Sequence, residues 1–290
     1  MAIVDAFKDA NANANLKVYR AQFGLPACTT GNGCLKIMAF GSTGDEGWGE
    51  EESLDLDMVS AICPKCHIIL VEAASNSLAD LAAAEQYATA HAKYVSNSWG
   101  GSEGTTTYDS DFNVPHVAIT ASTGDSGYNS PAQWPAILPS VTGVGGTSLT
   151  SISPRTETAW DGAGSGCSLI YAKPSFQSAL ATGCNNRAEA DVSADADPNT
   201  GVAVYDTFAG DPGWEVFGGT SVASPIIASA FALTNNASIA NNTHIYAHAA
   251  HLNDITSGPA NGPCGPPLCQ AGVGWDGPTG LGTPNGLGAF

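Results

Sequence analysis

Phe217-Gly218-Gly219-Thr220-Ser221-Val222-Ala223-Ser224-Pro225 is the stretch on which the fold turns. Two glycines permit a tight backbone where no side chain would fit. A run of small and apolar residues, Ile226 to Ala232, follows. The combination delivers Ser221 at the start of a helix, whose positive end favours developing negative charge. A plain turn with an N-cap uses the same residue types. What separates the two readings is whether the rest of the chain offers this serine a base.

Outward from that point, strand-like and helix-like segments alternate, which predicts a mostly parallel α/β sheet flanked by helices. Strands are predicted at Ala2–Ala6, Lys36–Phe40, His67–Glu72, Tyr94–Ser98, Val117–Ala121, Ser140–Val144 and Val202–Tyr205. Helices are predicted at Asn13–Phe23, Glu52–Ile62, Ser77–His91, Ser221–Asn235 and Asn241–His248. Gly, Ser, Asp and Pro concentrate between Gly100 and Pro115, Gly124 and Pro131, Gly162 and Gly166, and Gly258 and Gly286, which read as loops around a rigid centre. A chain of 290 residues with neither an internal repeat nor a flexible linker is read as one domain.

Histidine is the usual base, and none of the six histidines sits in a His-Gly-Thr context. His244, His248 and His251 follow the serine in what reads as a surface helix, His67 and His116 open strand-like runs, and His91 ends an alanine-rich helix. Carboxylates are the alternative. Within Glu50-Glu51-Glu52-Ser53-Leu54-Asp55-Leu56-Asp57, only Glu51 has an aspartate four residues on, at Asp55. That spacing puts both on one helical face. Two such carboxyls share a proton and can take one from a serine at acidic pH. Acidic residues also favour a helix first turn for purely electrostatic reasons. A third piece is Ile119-Thr120-Ala121-Ser122-Thr123-Gly124-Asp125-Ser126-Gly127, an apolar strand running into a glycine-flanked aspartate. Asp125 suits a turn. It also suits a buried acid kept protonated, which can donate a hydrogen bond to an oxyanion.

Composition narrows the partners. Nine Lys+Arg against 27 Asp+Glu give a net charge of −18, which argues against nucleic acid and anionic membrane and fits an acidic working environment. No run approaches the roughly 18 apolar residues of a membrane span. Eight cysteines fall into close pairs, Cys28/Cys34, Cys63/Cys66, Cys167/Cys184 and Cys264/Cys269, so disulfides and an oxidising compartment are expected, with the pairing left open. Towards the C-terminus, Leu252-Asn253-Asp254-Ile255-Thr256-Ser257-Gly258 and Ala271-Gly272-Val273-Gly274-Trp275-Asp276-Gly277 offer two carboxylates among flexible glycines. Calcium wants six to eight oxygens, and the spacing here is not that of an EF-hand. Asn236-Ala237-Ser238 and Asn241-Asn242-Thr243 are glycosylation acceptors in a eukaryotic source.

The chain resembles the sedolisin family, the serine-carboxyl peptidases, along essentially its whole length. The family carries a Glu-x-x-x-Asp pair, a Gly-Asp-Ser-Gly aspartate and a Gly-Thr-Ser-x-x-x-Pro serine, in that order. The matching residues are Glu51 to Asp55, Gly124 to Gly127 and Gly219 to Pro225. The resemblance implies a subtilisin-like single domain, with Ser221 as nucleophile, Glu51 as general base and acid, Asp55 orienting Glu51, and Asp125 as oxyanion-hole donor. It implies one structural Ca2+, held by the Asp254 and Asp276 side chains and the carbonyls of Ile255, Gly272 and Gly274. It further implies a secreted, monomeric acid peptidase, acting as an endopeptidase or a tripeptidyl peptidase, whose N-terminal prodomain and signal peptide are removed. Asp5, at the end of the first strand, is left out of the catalytic set. Tyr94-Val95-Ser96-Asn97-Ser98-Trp99-Gly100-Gly101 reads as a strand and turn lining a substrate cleft, or as an ordinary buried strand. Two other functions stay open: a subtilisin-type hydrolase with a histidine base, and a catalytically silent, calcium-stapled binding domain.

Overall fold

Every residue of Ala2–Ala6 (β1) is buried, as a strand covered on both faces requires. The computed structural model describes residues 1–208, 210, 212–238 and 241–290 and sets β1 inside an eight-stranded sheet. The other strands are β2 (Leu35–Ala39), β3 (Ile68–Ala73), β4 (Tyr94–Asn97), β5 (Ala118–Ser122), β6 (Thr142–Ile152), β7 (Arg155–Ala159) and β8 (Val192–Asp195). Their order is β7-β6-β5-β4-β1-β3-β2, with β8 also pairing β6. All pairings are parallel except that of β7 with β6. The expected single α/β domain with a mostly parallel sheet is the one observed.

Side chains of a strand point alternately to opposite faces, and β1 shows this directly. Ala2, Val4 and Ala6 pack with Val71, Leu81, Ala84 and Trp99 under helix α3 (Leu78–His91). Ile3 packs on the other face, with Leu16 of α1 (Ala12–Gln22) and Leu56 and Val59 of α2 (Glu46–Ile62). Further along that face, α4 (Thr220–Thr234) buries Ile227 and Phe231 against Val144 and Val192. Ser77 caps α3, its side chain accepting the Asp80 N–H, as the sequence indicates. Among the described residues, no helix is long and apolar enough to cross a membrane.

Three expectations are corrected. The helix expected from Glu52 begins at Glu46, because Asp45 caps it by accepting the Trp48 N–H. Glu50, Glu51 and Glu52 therefore lie in the body of the helix, not in a first turn where the dipole would explain them. The strand expected at Val202–Tyr205 is not in the central sheet: Val202–Asp206 (β9) pairs antiparallel with Gly213–Phe217 (β10) as a separate hairpin. The strand expected at Ser140–Val144 runs on to Ile152, since its second half gains β7 as an antiparallel neighbour. The four disulfides join Cys28–Cys34, Cys63–Cys66, Cys167–Cys184 and Cys264–Cys269, the neighbour pairs.

Phe231 is fully buried and meets Phe290 edge-on at 5.3 Å between ring centres. Phe231→Ala is expected to destabilise the fold by about 3–5 kcal/mol, read by denaturant unfolding.

Candidate active site

Four of the named residues converge at the carboxyl ends of the parallel strands, where open α/β sheets place their sites. Ser221 sits in the first turn of α4. Pro225, four residues on, has no N–H, so the Ser221 carbonyl loses its helical partner. Ser98, just past β4, fills the gap: its Oγ lies 3.2 Å from that carbonyl and 2.7 Å from Asp55 Oδ1. One hydroxyl thus ties the serine helix, α2 and the end of β4 together. Ser224, one turn behind Ser221, anchors α4 from below, with its Oγ 3.0 Å from both Ser96 Oγ and Thr120 Oγ1.

The Ser221 hydroxyl donates to the Ser98 carbonyl at 3.4 Å and lies near enough to the Glu51 carboxyl to lower its pKa. Burial dominates in the opposite direction, and with Asp125 and Glu50 nearby it lifts Glu51 to about 8. The residue keeps some exposed surface, yet its Oε1 is sealed from solvent and accepts no protein hydrogen bond. Asp55 is fully buried, and burial, then Asp5, then Glu51 hold it far above the usual carboxylate range against the opposing Ser98 bond. Glu51 and Asp55 are therefore adjacent acids without a cation, the condition for sharing a proton. A cavity of about 350 Å3 opens beside them, lined by Trp48, Glu51, Ser98, Trp99 and Gly100 among others.

Asp125 stands on the other side of the serine. Its Oδ1 accepts the Thr220 N–H at 2.7 Å and the Thr220 hydroxyl at 2.9 Å. A Cβ on Gly219 (φ +105°) would come 2.8 Å from Asp125 Oδ2, so both the backbone angle and the close approach require glycine. Asp125 is exposed, which corrects the image of a buried acid.

The histidines are employed elsewhere. His67 Nδ1 meets the Gly33 carbonyl at 3.1 Å, His91 Nδ1 the Tyr87 carbonyl at 2.7 Å and His248 Nδ1 the His244 carbonyl at 2.8 Å. His244, His248 and His251 stack on one another at the short helix α5 (Asn242–Ala247), and His116 precedes β5 at the far edge of the sheet. Asp5, set aside on sequence grounds, belongs to the same group of acids as Glu51 and Asp55. It is fully buried with neither oxygen hydrogen-bonded, and burial, then Glu51 and Glu72, raise its pKa strongly. A signal existed: an aspartate in an otherwise apolar strand is costly to bury and needs a reason.

Four of the five residues expected to bind calcium, Asp254, Gly272, Gly274 and Asp276, meet in pairs in the C-terminal loop. Asp276 is fully buried; its Oδ2 accepts the Gly272 N–H at 3.0 Å, and Asp254 Oδ2 accepts the Gly274 N–H at 3.0 Å. Burial lifts Asp276 to about 6 against its hydrogen bonds, with Asp254 adding to the rise. Among the described residues, the carbonyls of Ile255, Gly272 and Gly274 accept no backbone hydrogen bond. The donor types, carboxylate and carbonyl oxygens, are those a hard cation takes, while Asp276 Oδ1 also accepts the Thr279 N–H at 3.0 Å and hydroxyl at 2.8 Å. No group of three or more His, Cys, Asp or Glu able to hold a metal exists among the described residues.

Comparison with known proteins follows the same line. A model of the subtilase family matches residues 31–259. Kumamolisin of Bacillus sp. (strain MN-32) is 32% identical over 285 residues, covering 84% of this chain and 51% of that protein. Sedolisin of Pseudomonas sp. (strain 101) is 33% identical over 171 residues, covering 52% of this chain and 28% of that protein. The chain thus spans about half or less of the length of these curated relatives. Among solved structures, Pseudomonas sedolisin (serine-carboxyl proteinase), complexed with two molecules of pseudo-iodotyrostatin, superposes with a TM-score of 0.78. It does so at 24% identity, over 98% of this chain and 89% of that one.

Glu51 binds its proton more tightly folded (about 8) than an ordinary glutamate does (4.5). Between those pH values the unfolded chain holds fewer protons than the native one, so stability falls as pH rises. Denaturant unfolding is expected to show the wild-type chain more stable at about pH 4 than at about pH 8.

Proposed function

The chain belongs to the subtilase family and is a catalytic domain of its sedolisin members, and from that premise we propose that it cleaves peptide bonds in acid, with a carboxylate in place of histidine. The observation that carries this reading is that Ser98 bonds both the Asp55 carboxyl and the Ser221 carbonyl, which sets the serine beside the acids of α2. The histidines bonded at Gly33, Tyr87 and His244 leave no imidazole for that role among those contacts.

Ser221 Oγ attacks the scissile carbonyl while its proton passes to Glu51. Asp55 is more deeply buried and keeps its proton, so ionisation falls on Glu51, which Asp55 orients. A C–O bond forms and the carbonyl oxygen becomes an oxyanion, met by the protonated Oδ2 of Asp125 and the local backbone N–H. As the C–N bond breaks, Glu51 returns the proton to the leaving amine. A water then repeats the sequence on the acyl-enzyme and restores Ser221. In the productive form Asp125 carries a proton and Glu51 is free to accept one. Loss of that proton turns an oxyanion donor into a repelling charge.

Under this reading the partners are a protein or peptide substrate and, before maturation, the chain's own prodomain. The four disulfides suit secretion into an oxidising medium. One calcium ion at Asp254, Asp276 and the carbonyls of Ile255, Gly272 and Gly274 would pin the loop-rich C-terminus and take no part in the chemistry.

A pH–rate profile on a denatured protein substrate is expected to peak below about pH 6 and to be lost by about pH 8. Ser221→Ala is expected to reduce kcat/KM by roughly 10^4-fold or more. Asp125→Asn, whose amide donates at every pH, is expected to change the basic limb; an unchanged rate and unchanged limb would exclude Asp125 as the donor. An optimum near about pH 8 would point to a histidine base. Removing calcium with a chelator is expected to lower the melting temperature by roughly 5 °C, restored by added Ca2+; no change would remove the ion from the account.

A further inference from the structure

Six acids crowd the carboxyl edge of the sheet on its α2 side, and nine of their oxygens are buried without a protein hydrogen-bond partner: both of Asp5, Glu52 and Glu72, and one each of Asp9, Glu51 and Asp55. The fold makes this placement unavoidable. Parallel register sets Asp5 directly opposite Glu72. Alternation along β1 and β3 turns both to the face that carries Ile3, Ile68 and Leu70. Glu52 precedes Leu56 by one helical turn and so faces the same layer. Glu52 and Glu72 are fully buried. Their carboxyls lie against one another and against the Asp9 N–H, without a hydrogen bond of good geometry from it. Asp9 itself accepts the Asn11 N–H at 2.6 Å through one oxygen and leaves the other bare.

Two buried carboxyls that face each other without a well-formed hydrogen bond can satisfy their facing oxygens by holding a proton between them. We propose that Glu52 and Glu72 form a proton-sharing pair that positions Glu51, holding α2 against the β1–β3 edge for as long as the pair stays protonated. This rests on Glu51 being the base of the proposed peptidase. Glu52 adjoins Glu51 in the same helical turn, so a charge forced onto the pair pushes on the segment that presents Glu51 to Ser221.

The groups facing the pair are Asp5 on β1, Lys8 and Asp9 in the following loop, and Glu51 and Asp55 on α2. Lys8 is exposed and is the cation among them. Burial, then Asp5, Glu72 and Asp9, lift Glu52 to about 11, and burial chiefly lifts Glu72 to about 7. Asp9, lifted chiefly by burial to about 6, ionises first. Raised values of this kind favour the folded state at low pH and withdraw that support as pH climbs from about 4.5 towards 7.

Glu72→Gln tests the pair, because the amide supplies donors at every pH and cannot ionise. Two curves are read for wild type and variant: the basic limb of peptide cleavage and the midpoint of alkaline unfolding by circular dichroism. Both are expected to move up by about one pH unit in the variant. Glu52→Gln provides the same reading if the first variant does not fold. Stability lost equally at every pH, or curves superimposing on wild type, would overturn the proposal. If wild type cleaves nothing at any pH, the peptidase reading fails by itself, and the unfolding midpoint still decides whether the pair exists.

Discussion

A carboxyl buried without a cation must keep its proton or share one, and the functional end of this chain is built under that constraint. With 27 acidic and nine basic residues, there are too few cations to go round. The fully buried ion pair between Arg187 and Asp191 uses one of them, and Arg20 is spent on the carbonyls of Pro26 and Pro64 and the Ser60 hydroxyl. The acids around Glu51 therefore stabilise one another through protons, which couples the folded state and the proposed chemistry to the same variable. A protein arranged this way has its working range written into its packing, not only into the titration of one catalytic group.

Geometry around Ser221 shows how local sequence and tertiary contact combine. Pro225 removes one helical hydrogen bond, and the freed Ser221 carbonyl is met by Ser98 from another strand. Gly219 lets Asp125 approach within a distance that any side chain would block. Ser224 then locks the helix to β4 and β5 through two hydroxyls. Each of these residues is small, and each owes its identity to what stands opposite it rather than to the helix it belongs to.

That explains what the sequence could and could not disclose. The strands from Ala2 to Ser122 were legible because each is a short, largely apolar run between turn residues, and all but the edge strand β2 are almost wholly buried. The proposed set of Glu51, Asp55, Asp125 and Ser221 could be picked out in sequence because each member lies in its own short motif. The hairpin of Val202–Asp206 was misassigned because an apolar run does not say which sheet it joins; Val204 and Val202 pack on Tyr19 and Leu54, away from the central sheet. The start of α2 was missed because two glycines, Gly47 and Gly49, hide a helical turn whose cap is Asp45. Asp5 stood out locally as an acid in an apolar strand, but its neighbours, Glu72 on β3 and Asp55 on α2, are supplied only by the fold. The proposed partnership of Glu52 with Glu72 likewise depends on how α2 packs on β3, which no local pattern reveals.

The four disulfides join residues 6, 3, 17 and 5 positions apart, so none ties one layer of the fold to another. Their benefit to global cohesion is small, since short closed loops remove little chain entropy. What they do instead is keep both ends of a cut together. A break inside any of these loops leaves the severed strands covalently joined, so the segment cannot peel away and expose the next bond. For a chain with the peptidase activity proposed above, that would be a defence against self-digestion, acting on damage already done rather than on the equilibrium between folded and unfolded chains.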